Sequence, residues 1–125
     1  MIKLVFCVRR RPDITPEAFY DYWLNTHGPK VRSVAEKIGA WKYIQSHTCE
    51  PEINQALLES RNLQPAYDGI TEVWWDDAEA LNRRFGSDEG KIAGQFLIED
   101  EQKFIDLPNS RVFMTTEHLI FDLRS

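Results

Sequence analysis

Apolar side chains fill almost every position from Ile2 to Val8, with Lys3 the lone exception. A strand with one wet face alternates, so this run predicts a strand buried on both faces. Pro12-Asp13 marks a turn, Thr15 is placed to cap a helix with Pro16 at its first position, and Ile14 and Phe19 have the spacing of a hydrophobic staple. The helix runs from Pro16 towards Ile38, disturbed at Gly28-Pro29, with Val31, Val34, Ala35 and Ile38 at core spacing and Gly39 as its stop. A second strand spans about Trp41 to His47. It places Trp41, Tyr43, Gln45 and His47 on one face and Lys42, Ile44 and Ser46 on the other.

Residues 49–64 are too many for a hairpin, and Ile53, Ala56 and Leu57 after Pro51 predict a short helix laid over the domain. The third strand, Tyr67 to Trp75, carries Ile70, Glu72 and Trp74 on one side and Thr71, Val73 and Trp75 on the other. Asp76 and Glu79 have capping-box spacing for a helix that holds Leu81 and Phe85 and stops near Gly86. A further helical stretch, about Gly90 to Asp106, presents Phe96, Asp100 and Phe104 at four-residue intervals. The last strand, Val112 to Phe121, is apolar on both faces apart from Thr115, Thr116, Glu117 and His118.

This order, β-α-β-β-α-β, is a ferredoxin-like α+β plan with an antiparallel sheet, in one domain spanning residues 1–125. Helices in so small a domain cover one face of the sheet. Strands one, three and four are apolar on both, so the second face needs a cover, most simply a second copy of the chain. A homodimer is the expectation.

Composition narrows the partners. A chain of this length can bury about two-thirds of its unfolded surface, and 42% hydrophobic residues with four tryptophans predict a packed core. The net charge of −5 argues against nucleic acid as a partner. The one basic cluster, Arg9-Arg10-Arg11, is either a solvated strand exit or a clamp for an anionic group. No secretory leader and no apolar run of membrane-spanning length is visible, so a cytoplasmic location without membrane contact is expected. Cys7 and Cys49 have no metal or redox spacing, and His27, His47 and His118 are dispersed, so no metal or other cofactor is expected. A Gly-x-Ser-x-Gly elbow and a phosphate-cradling glycine loop are both absent.

The densest chemistry lies in Tyr22-Trp-Leu-Asn-Thr-His27-Gly-Pro-Lys-Val31. Trp23 and His27 are four apart and share a helix face, next to a break. The alternative is a histidine favoured near a helix C-terminus by the dipole alone. Asp13 to Val31 (DITPEAFYDYWLNTHGPKV) resembles the opening motif of the EthD family. The likeness continues through Tyr43-Ile-Gln-Ser-His47, Tyr67-Asp-Gly69 with Trp74-Trp-Asp76, Asp100 to Phe104, and Glu117-His118.

The resemblance implies a dimeric α/β barrel in which the sheets of two copies pack together. Proteins of similar fold include polyketide cyclases, muconolactone isomerases and cofactor-free monooxygenases. It thereby implies a pocket for a hydrophobic, carbonyl-bearing or aromatic small molecule, and a cofactor-independent cyclase, dehydratase or isomerase reaction using a histidine base. His27 is the first choice for that base, with Tyr67 or His118 as the donor to a developing oxyanion. Trp23, His47, Asp68 and Trp74 are the candidate substrate contacts. The rival reading is a non-catalytic binding or accessory protein of a degradation or polyketide-type pathway. Shared folds also admit a cofactor-free monooxygenase or a haem protein. Asp68 has its own local alternative, bonding its backbone in a turn with Gly69 supplying the close approach.

Overall fold

The computed structural model describes residues 1–124. Four strands, β1 (Ile2–Val8), β2 (Lys42–His47), β3 (Gly69–Trp75) and β4 (Arg111–Thr115), form one antiparallel sheet in the order β2-β3-β1-β4. Between β1 and β2 the chain runs through α1 (Pro16–Tyr22), a π-helical turn (Trp23–His27) and α2 (Gly28–Ile38). Helix α3 (Pro51–Arg61) joins β2 to β3, and α4 (Ala78–Gly86) with α5 (Asp88–Glu101) joins β3 to β4. The architecture is the ferredoxin-like α+β plan that the strand and helix order predicts. No helix among the described residues is long and apolar enough to cross a membrane.

Local chemistry starts and stops the helices much as expected. Thr15 accepts from the Ala18 amide, Pro16 follows it, and Gly39 ends α2 in the left-handed region at φ 76°. The Trp75 indole N–H donates to the Ile38 carbonyl at 2.8 Å and ties that helix end to β3. The cap of α4 is Asp77 rather than Asp76, its carboxylate accepting from the Ala80 amide at 2.7 Å.

Three boundaries depart from expectation, each for a physical reason. The disturbance in the first helix falls one turn before Gly28-Pro29, as the π turn, where the Gly28 amide reaches back to the Trp23 carbonyl. The last helix begins at Asp88, turning sharply from α4; a Cβ on Gly90 would lie 1.8 Å from the Arg84 carbonyl oxygen. Strand β4 stops at Thr115 instead of continuing to Phe121. Among the described residues its neighbour in the sheet is β1, whose Lys3 makes the last pair, so the chain beyond runs past the end of that strand. Leu119, Ile120, Phe121 and Leu123 are consequently exposed.

The core forms two clusters between the sheet and the helices. Val8, Phe19, Trp23, Phe104 and Ile105 make one, and Val34, Ile38, Val73, Trp75 and Ala93 the other. The opposite sheet face is uncovered and presents Ile44, Ile70 and Phe113 to solvent. There Lys3 bonds Glu72 of β3 at 2.7 Å and lies 3.5 Å from Glu117, which follows the end of β4.

Candidate functional site

A cavity of about 520 Å³ lies where the two core clusters meet, walled chiefly by apolar groups such as Leu4, Phe6, Val73, Trp75 and Leu97. Its polar lining comes from His27, Tyr43, Thr71, Glu101 and Ser110, with the indole of Trp23 beside them. Such a space, mostly apolar with a few convergent polar groups, has the form of a small-molecule site.

The π turn brings the first two groups in. A π-helical bulge is frequent at functional sites because it re-aims side chains without ending the helix. Here both Trp23 and His27 are buried and line the cavity. Trp23 packs so tightly on β3 that a Cβ on Gly69 would sit 2.6 Å from its ring and 2.5 Å from the Ser46 carbonyl oxygen. That close approach is what glycine serves in Tyr67-Asp68-Gly69.

His27 Nδ1 lies 2.6 Å from Asp100 Oδ2. Asp100 also accepts from the Tyr22 hydroxyl and from Lys30 Nζ at 2.7 Å, with Lys103 Nζ at 3.6 Å. Burial alone would raise the Asp100 pKa, but the hydrogen bonds from Lys30, Tyr22 and His27 outweigh it and hold the carboxyl well below its usual range. An ionised carboxylate only accepts, so Nδ1 carries the imidazole hydrogen and Nε2 keeps its lone pair. Burial lowers the His27 pKa more than Asp100 raises it, leaving the ring neutral near pH 7. Nε2 has no protein partner among the described residues. An oriented neutral imidazole with a free nitrogen in an apolar cavity is equipped to take a proton.

On the sheet side the polar groups are set by Gln45. Its amide donates to the Trp23 carbonyl and to the Tyr43 hydroxyl oxygen, both at 2.8 Å, and its Oε1 lies 2.8 Å from His47 Nε2. With its oxygen already accepting, Tyr43 has its O–H free to donate. Burial raises the Tyr43 pKa, partly offset by Gln45, Trp23 and Thr71, so that proton stays on. The Trp23 indole N–H, close enough to influence this hydroxyl, has no hydrogen-bond partner among the described residues. The site thus holds two unused donors side by side.

Glu101 completes it. Its carboxyl faces the cavity with no hydrogen-bond partner among the described residues, and burial, with Asp100 adding to it, pushes its pKa up to about 7.

The remaining sequence candidates lie elsewhere. His47 stacks on the far side of Trp23, ring centroids 4.5 Å apart, and against Tyr20 at 5.1 Å, so it braces the indole from outside the cavity. Tyr67 sits under the Arg9 guanidinium at 4.4 Å and borders a separate shallow hollow with Cys7 and Asn54. Asp68 accepts from the Arg10 amide at 2.7 Å, a turn contact. Trp74 is on the opposite sheet face, donating to Glu117 at 2.7 Å. His118 is exposed beyond β4. The three histidines therefore do not converge within the chain. Among the described residues, no group of three or more His, Cys, Asp or Glu side chains is placed to hold a metal ion. Arg9, Arg10 and Arg11 bond the Ala66, Ile14 and Gln102 carbonyls, so the basic cluster fastens the strand exit.

Sequence reasoning named His27 and Trp23 but not Tyr43, Gln45, Asp100 or Glu101 as site groups. Tyr43 and Gln45 were on the strand face that holds His47. Glu101 had a signal too: Gly94, Leu97, Ile98, Glu101 and Ile105 follow the i, i+3, i+4, i+7 pattern of an apolar helix face, with one carboxylate inside it.

The fold and cavity define a ferredoxin-like α+β domain enclosing an apolar pocket with an Asp-supported histidine. The sequence matches the EthD domain over residues 11–108, and the chain belongs to the EthD family. An ethyl tert-butyl ether D (EthD) family protein from Bacillus halodurans shares 23% identity over 94% of this chain and 99% of its own, with a TM-score of 0.62. A dimeric protein of unknown function with a ferredoxin-like fold, from Bacteroides fragilis, shares 11% identity over 91% of this chain and 93% of its own, with a TM-score of 0.57. An antibiotic biosynthesis monooxygenase shares 13% identity over 95% of this chain and its full length, with a TM-score of 0.50. At these identities the likeness establishes the fold. No curated protein sequence matches the chain.

Proposed function

We propose that the cavity binds a hydrophobic, carbonyl-bearing or aromatic small molecule, and that His27 removes a carbon-bound proton beside its carbonyl. The carrying observation is the free Nε2 of a buried imidazole whose Nδ1 is held at 2.6 Å by Asp100. Enolisation, the common first step of cofactor-independent cyclisation, dehydration and isomerisation, needs a base and a donor for the oxyanion. Tyr67 and His118 lie outside the cavity, so the donor role falls to the Tyr43 hydroxyl, with the Trp23 N–H beside it. A positioned base contributes about 10²–10⁴ in rate. Each oxyanion donor adds about 10²–10³.

The test is hydrogen–deuterium exchange at the carbon next to the carbonyl of 1-tetralone, a neutral bicyclic ketone, followed by NMR in D₂O. Wild type should accelerate exchange, and His27→Gln should lose the acceleration while keeping affinity within a few fold. Tyr67→Phe and His118→Ala should retain the wild-type rate. Binding without any exchange in wild type would defeat catalysis and favour the rival, a binding or accessory protein.

We further propose that the uncovered sheet face pairs with a second copy. Support comes from the exposed Ile44, Ile70 and Phe113 on that face and from the dimeric relative of the same fold. Light scattering at micromolar concentration should give twice the chain mass; a stable monomer would refute it.

A further inference from the structure

We infer that Glu101 makes the cavity selective for uncharged ligands: its carboxyl, half-buried in the cavity lining and without a hydrogen-bond partner among the described residues, meets the ligand oxygen as a donor and disfavours an anionic group. This rests on the cavity being a ligand site, but not on His27 performing chemistry.

The surroundings of Glu101 supply nothing to compensate a negative charge. Facing it are the neutral His27 from the π turn and the Tyr43 hydroxyl from β2. Strands β1, β3 and β4 present Leu4, Phe6, Thr71, Val73, Trp75 and Val112, and α4 presents Phe85, none of them titratable. Its own helix contributes Asp100, an anion, whose cations Lys30 and Lys103 are engaged by that carboxylate. Among the described residues, no Lys or Arg lines the cavity. A carboxylate in such a place is costly to leave ionised, and protonation is the way it is accommodated.

The hydrogen-bond inventory agrees. Trp23 Nε1–H and Tyr43 O–H are donors without acceptors inside the cavity. A protonated Glu101 adds a third. Three donors call for a ligand oxygen, such as a ketone, quinone or ester carbonyl. An ammonium brings only donors and would leave the indole and phenol unpaired. A ligand carboxylate would bring a further negative charge beside Asp100 and Glu101 into a lining without a cation among the described residues.

Ligand-observed NMR titration of the whole protein with 1-tetralone, the anionic 1-naphthoate and the cationic 2-aminotetralin tests this. The protonated fraction of Glu101 halves at about pH 7. If only that fraction is competent, the apparent Kd for tetralone rises about 30-fold between pH 6 and pH 8.5. Glu101→Gln, which keeps a neutral donor, should bind tetralone with the low-pH affinity across that range. It should also bind 1-naphthoate at least tenfold more tightly than wild type does at pH 8. A flat wild-type profile, an unchanged slope in Glu101→Gln, or 2-aminotetralin outcompeting tetralone at pH 8 would each overturn the inference. Failure of tetralone to bind at any pH would overturn it together with the pocket reading. Binding with the expected profile but no deuterium exchange would leave it standing and remove only the catalysis.

Discussion

The Glu101 carboxyl should make the protein less stable as pH rises, opposite to the usual behaviour of a paired carboxylate. Its pKa is about 7 in the folded chain against an ordinary 4.5. The native state therefore holds its proton where the unfolded chain has released it. Stability falls with pH wherever the unfolded state binds fewer protons. The loss begins near pH 4.5, grows through pH 7 and is complete above it. The shift of 7 − 4.5 = 2.5 units corresponds to about 3 kcal/mol at 1.36 kcal/mol per unit. For a chain of this size about 1 kcal/mol moves Tm by roughly 4 °C. Glu101→Gln, of the same shape and without the titration, should therefore melt about 10 °C higher than wild type at pH 8 and within a few degrees of it at pH 5. His27 works in the other direction, because its folded pKa is lowered: its contribution is present above pH 6.5 and is lost as pH falls below that. Both proteins share that term, so the difference between the two melting curves isolates Glu101. Calorimetry from pH 5 to pH 8 is the assay. Parallel curves, with a constant Tm difference across the range, would show that Glu101 ionises freely and would refute the reasoning.

Asp100→Asn should destabilise the protein by about 3 kcal/mol, the low end for breaking a buried pair because Lys30 and Lys103 can turn to water. As the folded pKa of Asp100 is depressed, the wild-type advantage should be present above about pH 4 and vanish as pH falls further; equal melting temperatures at pH 7 would contradict this. Gly69→Ala must push a methyl against a strand carbonyl and a buried indole, and should cost about 1–3 kcal/mol in urea unfolding; an unchanged midpoint would show that the Trp23 contact yields freely. Helix α3 has no buried residue, so its amides should exchange faster than those of β1 and β3; protection matching the strands would mean that it is packed in the assembled protein.

What the sequence revealed divides along one line. Features decided within a few residues were legible: the Thr15 cap with Pro16, the alternation of β2, and the solitary helix between Pro51 and Arg61. Features decided by a distant neighbour were not. The length of β4 depends on where β1 begins, which apolar residues from Val112 to Phe121 do not record. Asp100 was visible as one of three residues at four-residue spacing, yet its meaning lies in a contact with His27, 73 positions away. Glu101 sits in the helical spacing of Gly94, Leu97, Ile98 and Ile105, but that spacing does not record what lies across the cavity from it. Across the cavity it meets the neutral His27 and Tyr43, brought there by distant parts of the chain.

The π turn explains why Trp23 and His27 act as a pair although four-residue spacing on a helix is commonplace. Pro29 has no N–H to give to the preceding turn, and Gly28 donates to the carbonyl five residues back instead. The widened turn lets the Trp23 carbonyl accept a second bond, from Gln45 on β2, at a point where a Cβ on Gly28 would already press the amide at 3.3 Å. That same amide holds the Tyr43 hydroxyl and, through its oxygen, the His47 ring that supports the Trp23 indole. One irregular turn therefore fixes the helix that carries His27, the Trp23 and Tyr43 donors and the strand behind them in a common frame. A regular helix through residues 23–27 would keep the same side chains but lose the carbonyl that joins them. Preorganisation of this kind is what lets a few fixed dipoles act on a developing oxyanion in an apolar site.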